Sequence, residues 1–229
     1  MTAIILDTET SGFNEPRLVE LAYVPVHFPD GRRWLAAGDV EHHRFNPGKP
    51  IEIEALATHH ILDRDVVDSP PESSWVFPAA TQYVIGHNID FDCVPARVPA
   101  TVKRICTLAV ARSLYAEGKH TQSALMYRLF DHVDARESVR RAHGAVADVF
   151  MCLRILNAML SDDRMAAVKD FASLYAFSEA ARLPKIMGFG KHKGMPVEKV
   201  PMDYRWWYAK QEDPDPWLLK AWKMAPSRR

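Results

Sequence analysis

Asp7 and Glu9 stand one residue apart near the start of the chain, directly after the apolar run Ile4-Ile5-Leu6. Because strand side chains alternate between two faces, a strand through this segment directs both carboxylates to the same side. Neighbouring carboxylates resist ionising together unless a cation lies between them, and oxygen donors suit hard ions such as Mg²⁺ or Mn²⁺. On these two residues alone, a strand that simply ends on polar side chains is the better interpretation.

A second acidic position follows a short apolar run later in the chain. Residues 83–86 read as a strand, and the segment 87–92 after it places Asp92 on the first turn of a helix. A carboxylate held by a helix at the end of a strand suits a metal ligand, and the alternative is that Asp92 only caps its helix.

A third candidate pair precedes and begins a long amphipathic segment. His143 and Asp148 are five residues apart, which corresponds to roughly 500° of helical rotation, so they cannot share a helix face. The spacing therefore predicts that His143 lies in the loop before the helix and that Asp148 lies on its first or second turn. The alternatives are an ordinary loop histidine and a solvent-facing aspartate.

Together these segments resemble the three motifs of the DEDDh exonucleases, the DnaQ-like group that has a ribonuclease H-like fold. The matching residues are Asp7-Thr8-Glu9-Thr10, His87-Asn88 with Phe91-Asp92, and His143 followed after four residues by Asp148. The order and separation of the motifs match, as does the segment from Ala55 to Ile61 between the first two. The resemblance covers residues 4–158.

The resemblance implies a catalytic role for five residues. Asp7, Glu9, Asp92 and Asp148 would form an acidic cage for two Mg²⁺ ions about 4 Å apart, with Mn²⁺ as a substitute and Asp7 as the bridging ligand. His143 would be the general base, and an imidazole ordinarily titrates near 6.5, which suits proton transfer at neutral pH. The implied products are nucleoside 5′-monophosphates released from a 3′ end.

The same resemblance assigns substrate contacts to residues beside the motifs. The loop that contains Thr10, Gly12 and Phe13 would lie against the terminal nucleotide, where Phe13 stacks on the 3′ base, since base–aromatic stacking tolerates any sequence. Packing of Phe13 in the core is the alternative. His87 and Asn88 either position the scissile nucleotide or only secure the second motif, and the sequence leaves both readings open.

The elements that must position these residues follow from apolar periodicity and turn signals. Three strands in a meander followed by alternating helices and strands predict an α/β fold, a mixed sheet flanked by helices. We expect strands at residues 2–6, 18–28, 33–45, 83–86 and 102–107, with a turn at 29–32. We expect helices at 52–59, 90–97, 108–115, 144–160 and from a cap at Ser123 to about residue 130.

The domain organisation is predicted as a catalytic domain over residues 1–160, a helical connector over 161–185 and a small C-terminal segment over 186–229. In that segment, Phe189-Gly190-Lys191-His192-Lys193-Gly194 and Tyr204-Arg205-Trp206 resemble the tail of one branch of the same family. Residues 182–199 carry five basic side chains and one acidic one. Phe189, Lys191 and Lys193 are therefore candidate nucleic-acid contacts, and a surface hairpin turn is the alternative. Met195 stands where a nucleotide-binding loop needs Ser or Thr, which excludes that motif.

Composition limits the remaining choices. The chain has 229 residues, 48% of them apolar and 25% charged, as in ordinary globular proteins. Its net charge of zero conceals 15 acidic and 6 basic residues in 1–95, against 14 and 23 in 96–229, which fits an acidic metal-binding half and a basic half for a polyanion. No membrane or signal pattern is evident, the three cysteines read as buried and reduced, and we expect a cytoplasmic protein.

The leading hypothesis is a metal-dependent 3′→5′ exodeoxyribonuclease that acts on single-stranded DNA and on duplex 3′ ends. The alternatives are a 3′→5′ exoribonuclease that trims RNA, a non-catalytic nucleic-acid-binding module and the proofreading subunit of a polymerase. The sequence does not decide the oligomeric state.

Overall fold

The computed structural model describes residues 2–29, 33–140 and 142–224. It divides the chain into two compact units, one up to Ser178 and one from Glu179 onward. This division falls inside a helix of the expected connector, before the boundary that the sequence suggested near residue 185. The reason is that the first half of this helix buries Phe171 and Leu174 in the core of the first unit.

The first unit is built on a six-stranded mixed sheet. Its strands are β1 (Thr2–Thr10), β2 (Leu18–His27), β3 (Ala36–Ala37), β4 (Glu41–Arg44), β5 (Thr81–Gly86) and β6 (Lys103–Cys106). The order is β3-β2-β1-β5-β6, with β4 also paired to β2. Strand β1 is antiparallel to β2 and parallel to β5, and β5 is parallel to β6. The predicted mixed sheet is confirmed, and β1, which carries the first motif, lies at its centre.

The predicted single strand over residues 33–45 is wrong in its extent, because two short strands replace it. Strand β4 pairs with residues 20–23 of β2, whereas β3 pairs with Val26 and His27. Pro25 lies between these two stretches and has no N–H to donate, so an unbroken ladder cannot pass it. The Pro25 carbonyl instead accepts from the amide of Gly38 at 2.8 Å. Most of the expected turn at 29–32 lies outside the described residues.

Ten helices accompany the sheet in the described ranges. They are α1 (Ile53–His59), α2 (Asp63–Val66), α3 (Asp90–Cys93), α4 (Thr107–Leu114), α5 (Gln122–Leu129), α6 (His132–Val139), α7 (Ala145–Leu160), α8 (Phe171–Arg182), α9 (Met202–Tyr208) and α10 (Pro216–Met224). The sequence did not predict α2, α6, α9 or α10. It also misplaced the cap of α5: Ser123 lies inside the helix, and the Thr121 hydroxyl accepts from the amide of Ala124 at 3.3 Å. In the part of the chain that the structure describes, no helix is both long and apolar enough to cross a membrane.

The main core lies between the sheet and helices α4, α5 and α7. Ile5 and Ile85 from adjacent strands are fully buried there with Val149 and Leu156 of α7. Each such side chain stabilises the fold by about 1.5–3 kcal/mol. This packing fixes α7 against β1 and β2, so residues at the start of α7 hold a defined position relative to the end of β1. The cysteines Cys93, Cys106 and Cys152 are all buried.

The second unit has a small core of its own. Its α9 and α10 surround a buried cluster that consists of Met187, Val197, Val200, Tyr204, Leu218 and Trp222. An antiparallel bridge between Ile186 and Pro196 closes the glycine-rich loop between them into a hairpin. The hairpin alternative for this segment is therefore present in the structure, with the basic side chains on the loop.

Candidate active site

The end of β1 presents the first pair of carboxylates. Asp7 lies opposite Ala22 of β2 and Glu9 lies opposite Glu20, so both acids point to one face of the strand, as the alternation of side chains predicts. The intervening Thr8 is buried and points to the other face. Strand geometry alone therefore places the two carboxylates side by side.

Asp92 reaches the same region from α3. The pairing of β1 with β5 stops at Ile5 and Ile85, so the amide of Thr8 has no strand partner on that side. Oδ1 of Asp92 accepts from this amide at 3.1 Å and from the Thr8 hydroxyl at 2.8 Å. Asp92 thus continues the hydrogen bonding of β1 beyond the end of β5 and is only 4% exposed.

His143 and Asp148 lie where the spacing predicts. Helix α7 begins at Ala145, so His143 is in the preceding loop and Asp148 is on the first turn. His143 adopts a left-handed backbone with φ of 66°, an uncommon state for a non-glycine residue and one that clusters at functional sites. The amide of His143 donates to Oδ2 of Asp148 at 3.3 Å. The candidate base and the candidate ligand are therefore joined directly.

Three of the four predicted ligands meet. One carboxylate oxygen from each of Asp7, Glu9 and Asp148 lies within 4.8 Å of the others. Asp92 lies outside this group, and Oδ1 of Asp92 is bound to Thr8, although the charge of Asp92 still acts on Asp7. The structure thus separates an inner group of three acids from a fourth beside them.

Burial and mutual repulsion make it unfavourable for these acids to be ionised at the same time. Burial, together with repulsion from Asp92, Asp148 and Glu9, holds the pKa of Asp7 well above its ordinary value. Burial, with repulsion from Asp148 and Glu20, raises the pKa of Glu9 to about 9. Burial also raises the pKa of Asp92 to about 7 and that of Asp148 to about 6, although the amide and charge of His143 counteract the latter.

The donor set fits a divalent cation. It offers only carboxylate oxygens, which Mg²⁺ and Mn²⁺ prefer, and its oxygens are near enough to one another to share an ion. A cation between them would offset the repulsion that raises these pKa values. The chemistry of this donor set therefore fits a divalent-cation site, and the roles of Asp7, Glu9 and Asp148 as its ligands stay a prediction.

Glu20 is a fifth acid near this site, and the sequence analysis missed it. Its side chain is almost fully buried on β2, opposite Glu9. Burial alone would raise its pKa, but hydrogen bonds from His42, the Ala145 amide and Arg44 outweigh burial and lower it. The available signal was a lone glutamate inside an otherwise apolar strand.

Hydrogen bonds of His59 fix the loop that follows β1. Nε2–H of His59 donates to the carbonyl of Thr10 at 3.2 Å, while Nδ1 accepts from the Ile61 amide at 3.0 Å. Burial lowers the pKa of His59, which keeps it neutral in this arrangement. Gly12 has φ of 142°, a backbone conformation that residues with a Cβ rarely adopt, and a Cβ there would also displace the carboxylate of Glu52. Only glycine fits at this point.

Phe13 is exposed at the tip of that loop. Its side chain is 78% exposed, its amide donates to Glu52 at 3.2 Å, and its ring meets Phe91 edge-on at 6.1 Å. The core-packing alternative is therefore wrong for Phe13. Phe91, which was predicted only as part of the second motif, extends the exposed aromatic surface.

His87 is bound within the fold through both ring nitrogens. Nδ1 lies 3.0 Å from the Thr107 hydroxyl, and Nε2–H donates to the carbonyl of His120 at 2.7 Å. Burial lowers the pKa of His87 to about 4. These bonds tie the end of β5 to α4 and to the loop before α5. Asn88 is exposed beside it with a left-handed backbone, φ 69°.

An open cleft of about 560 Å³ begins at the candidate site. It extends between α4 and the loop before α5, and most of its charged or titratable side chains are basic. They include His87, Arg112, Lys119, His120, His143 and, at the acidic end, Asp148. The cleft therefore places the cationic side chains of Arg112 and Lys119 on the same open surface as the acidic group.

The three tail candidates belong to the second unit. Phe189 is partly exposed, and its ring lies 5.4 Å from that of Tyr208. The Lys191 ammonium lies 5.4 Å from the Tyr204 ring. Lys193 lies in the same loop, at the end of a 3₁₀ turn. Their role in binding stays a prediction.

The mixed sheet and its flanking helices form a ribonuclease H-like fold. This fold brings acidic side chains from β1 and from the start of a helix together beside a histidine, which is the arrangement of a metal-dependent phosphodiester hydrolase. A family model described as Exonuclease matches residues 4–156, and the chain belongs to this exonuclease family. The assignment made from the three motifs is confirmed.

One curated relative and two solved structures are similar to this chain. Exodeoxyribonuclease 10 of Escherichia coli (strain K12) is 26% identical over 227 residues, which cover 93% of this chain and 94% of that protein. Exonuclease X in complex with 5′ overhanging duplex DNA aligns with a TM-score of 0.57 at 22% identity, over 77% of this chain and 99% of that one. A zinc-bound complex of E. coli ExoI with single-stranded DNA gives 0.55 at 19% identity, over 80% and 43%. The tail segments quoted above are those that resemble exonuclease X.

Proposed function

We propose that this protein is a 3′→5′ exodeoxyribonuclease that removes nucleoside 5′-monophosphates from DNA 3′ ends. The observation that carries the proposal is the meeting of Asp7, Glu9 and Asp148 within 4.8 Å, with His143 bonded to Asp148 at the start of α7. This arrangement joins an acidic cation site to a histidine that can move a proton, as hydrolysis of a phosphodiester requires.

Asp7, Glu9 and Asp148 would hold the cations directly, with Asp7 shared between two Mg²⁺ ions and Asp92 as the fourth ligand. When bound, such ions activate water and stabilise charge on the attacking and leaving oxygens. One oxygen of Asp92 is engaged by Thr8, so we assign Asp92 a second task, which is to fix the end of β1 where Asp7 and Glu9 emerge. Mn²⁺ would replace Mg²⁺ because the donors are all oxygen.

His143 would act as the general base. Its backbone amide is bonded to Asp148, a contact that leaves both ring nitrogens available, and the ring would accept the proton of the attacking water. The left-handed backbone at His143 lies directly before α7, to which the amide of His143 is bonded through Asp148. The residue that binds the proton is thus positioned by the same helix that carries a cation ligand.

The exposed surface around the site would bind the 3′-terminal nucleotide. Phe13, with Phe91 beside it, offers an apolar face for the terminal base, and the fixed loop with Thr10 and Gly12 lies beneath. We assign His87 to securing the second motif, because both its ring nitrogens are used within the protein. Asn88 is exposed and available to the nucleotide.

DNA is the proposed substrate because the relative that aligns over 93% of this chain is an exodeoxyribonuclease. The two related structures hold duplex DNA with a 5′ overhang and single-stranded DNA, so both forms are candidate partners. Phe189, Lys191 and Lys193 are proposed as additional contacts, since an exposed aromatic ring in one loop with two lysines suits a nucleic-acid strand. Cleavage of RNA is the second candidate, since no residue in the site has been assigned to the sugar.

The test uses 5′-labelled DNA and RNA oligomers of one sequence with purified protein and Mg²⁺. The DNA should shorten progressively from its 3′ end, and EDTA or Asp7→Ala should stop this. Glu54→Ala is the matched control, because Glu54 is an exposed acid of α1 outside the cluster, and it should leave the rate unchanged. Rapid loss of only the RNA would favour the exoribonuclease, and no shortening of either would refute the proposed function.

A further inference from the structure

Glu20 occupies an unusual place for a charged residue. It is 4% exposed, lies near the start of β2 and is the cross-strand neighbour of Glu9. A buried carboxylate that is not fully paired destabilises a protein strongly, so the partners of Glu20 indicate what it does.

Both carboxylate oxygens of Glu20 are used. Oε1 accepts from Nε2 of His42 at 2.9 Å and from Nε of Arg44 at 3.1 Å, both on the adjacent strand β4. Oε2 accepts from the amide of Ala145 at 2.9 Å. One side chain therefore joins β4, β2 and the first residue of α7.

The hydrogen bond from Ala145 to Glu20 gives an acceptor to a backbone amide at the start of α7. The first amides of a helix have no intrahelical acceptor, and the cap residue of α7 is Gly144, which has no side chain to supply one. Glu20 provides the acceptor from a distant strand, and its negative charge suits the positive end of the helix dipole. The start of α7 is thus anchored to the sheet at the level of Glu9.

We propose that Glu20 is a positioning residue of the proposed nuclease site, an inference that rests on the proposed function. Its carboxylate holds the first turn of α7, and with it His143 and Asp148, in register with Glu9 on β1. His42 and Arg44 orient the carboxylate for this purpose. Glu20 itself does not contact the substrate or the cations.

The experiment compares Glu20→Ala, Glu20→Gln and Glu72→Ala. Glu72 is the matched control: its carboxylate also accepts from a backbone amide of β2, that of Leu18 at 3.4 Å, and it pairs with Arg17 and Arg97, but none of these partners lies in α7. For each variant, kcat and KM for a DNA oligomer, Mn²⁺ affinity and hydrogen exchange of residues 143–148 are measured below the unfolding transition.

Glu20→Ala should lower kcat by about 10- to 100-fold and weaken Mn²⁺ binding, with KM changed less than kcat, as for residues that orient metal ligands. Exchange at the start of α7 should accelerate. Glu20→Gln should recover part of the loss, because its amide oxygen can still accept from Ala145. Glu72→Ala should lower the unfolding temperature without changing kcat or the exchange of α7.

The inference is overturned if Glu20→Ala retains the wild-type kcat, or if it loses kcat while exchange at 143–148 is unchanged. It is also overturned if Glu20→Gln is as impaired as Glu20→Ala in all four measurements. A wild-type protein without nuclease activity would refute the proposed function instead, and hydrogen exchange and Mn²⁺ affinity would still decide whether Glu20 positions α7.

Discussion

His143 donates its backbone amide to Oδ2 of Asp148 at 3.3 Å, so the candidate base and a candidate cation ligand are mechanically coupled. The bond uses the main chain of His143 and leaves its ring unconstrained by that contact. Substituting the side chain of His143 can therefore separate the proposed proton transfer by the ring from the bond that the backbone amide makes to Asp148.

His143→Ala should reduce kcat by about 10²- to 10⁴-fold, the usual contribution of a general base. Because the backbone amide stays in place, Mn²⁺ affinity should be nearly unchanged when measured by calorimetry. Parallel loss of Mn²⁺ binding and activity would contradict the assigned role, since it would make His143 part of the cation site.

The stability of the metal-free protein should fall as the pH rises from 6 to 9. The pKa values of Asp148, Asp92 and Glu9 are raised to about 6, 7 and 9 in the folded state, so the folded protein holds more protons than the unfolded chain in this range. The contribution of these three groups to stability is therefore full below the ordinary carboxyl pKa values and is lost as the pH rises through their folded-state pKa values.

Thermal unfolding in EDTA across this pH range checks that expectation. Glu9→Gln should flatten the decline at its alkaline end, and saturating Mg²⁺ should raise the unfolding temperature most at high pH. A metal-free protein that becomes more stable between pH 6 and 9 would show that the acids are not strained by burial and repulsion.

Phe13→Ala should raise KM for a DNA oligomer with little change in stability. Its ring is 78% exposed, so its removal opens no cavity, whereas loss of base stacking costs about 1–3 kcal/mol, or roughly 5- to 150-fold in affinity. Phe13→Trp is the control that keeps an aromatic face, and it should stay near wild type. Equal KM values for the alanine variant and wild type would remove Phe13 from the substrate site.

His87→Ala should lower stability by about 1–3 kcal/mol, because the partly buried carbonyl of His120 loses its donor. Denaturant unfolding measures this, with the exposed His132→Ala as control. The kcat of folded protein should change by only a few-fold. If stability were unchanged and KM rose instead, His87 would position the nucleotide, the reading that the sequence left open.

Local geometry explains why much of the site could be predicted. The alternation of β1 directs Asp7 and Glu9 together, and the five-residue spacing from His143 to Asp148 separates loop from helix. The hydrogen bonds of Asp92 to Thr8 could not be predicted, since they depend on where β5 stops pairing with β1.

The other features that the sequence did not predict also depend on contacts between distant segments. The role of Glu20 arises from a contact with Ala145, which is distant in sequence and close only after the sheet and α7 have packed. Similarly, the break between β3 and β4 depends on their pairing with β2 on either side of Pro25. Patterns within one segment reveal its own periodicity and leave out partners that the fold brings to it.

Crystals of the protein with Mn²⁺ and a short DNA 3′ end would test the central claim most directly, through the anomalous scattering of manganese. We predict signal between the carboxylates of Asp7, Glu9 and Asp148, with two peaks about 4 Å apart and the terminal phosphodiester beside them. Absence of manganese from these carboxylates, with the DNA end bound elsewhere, would contradict the account.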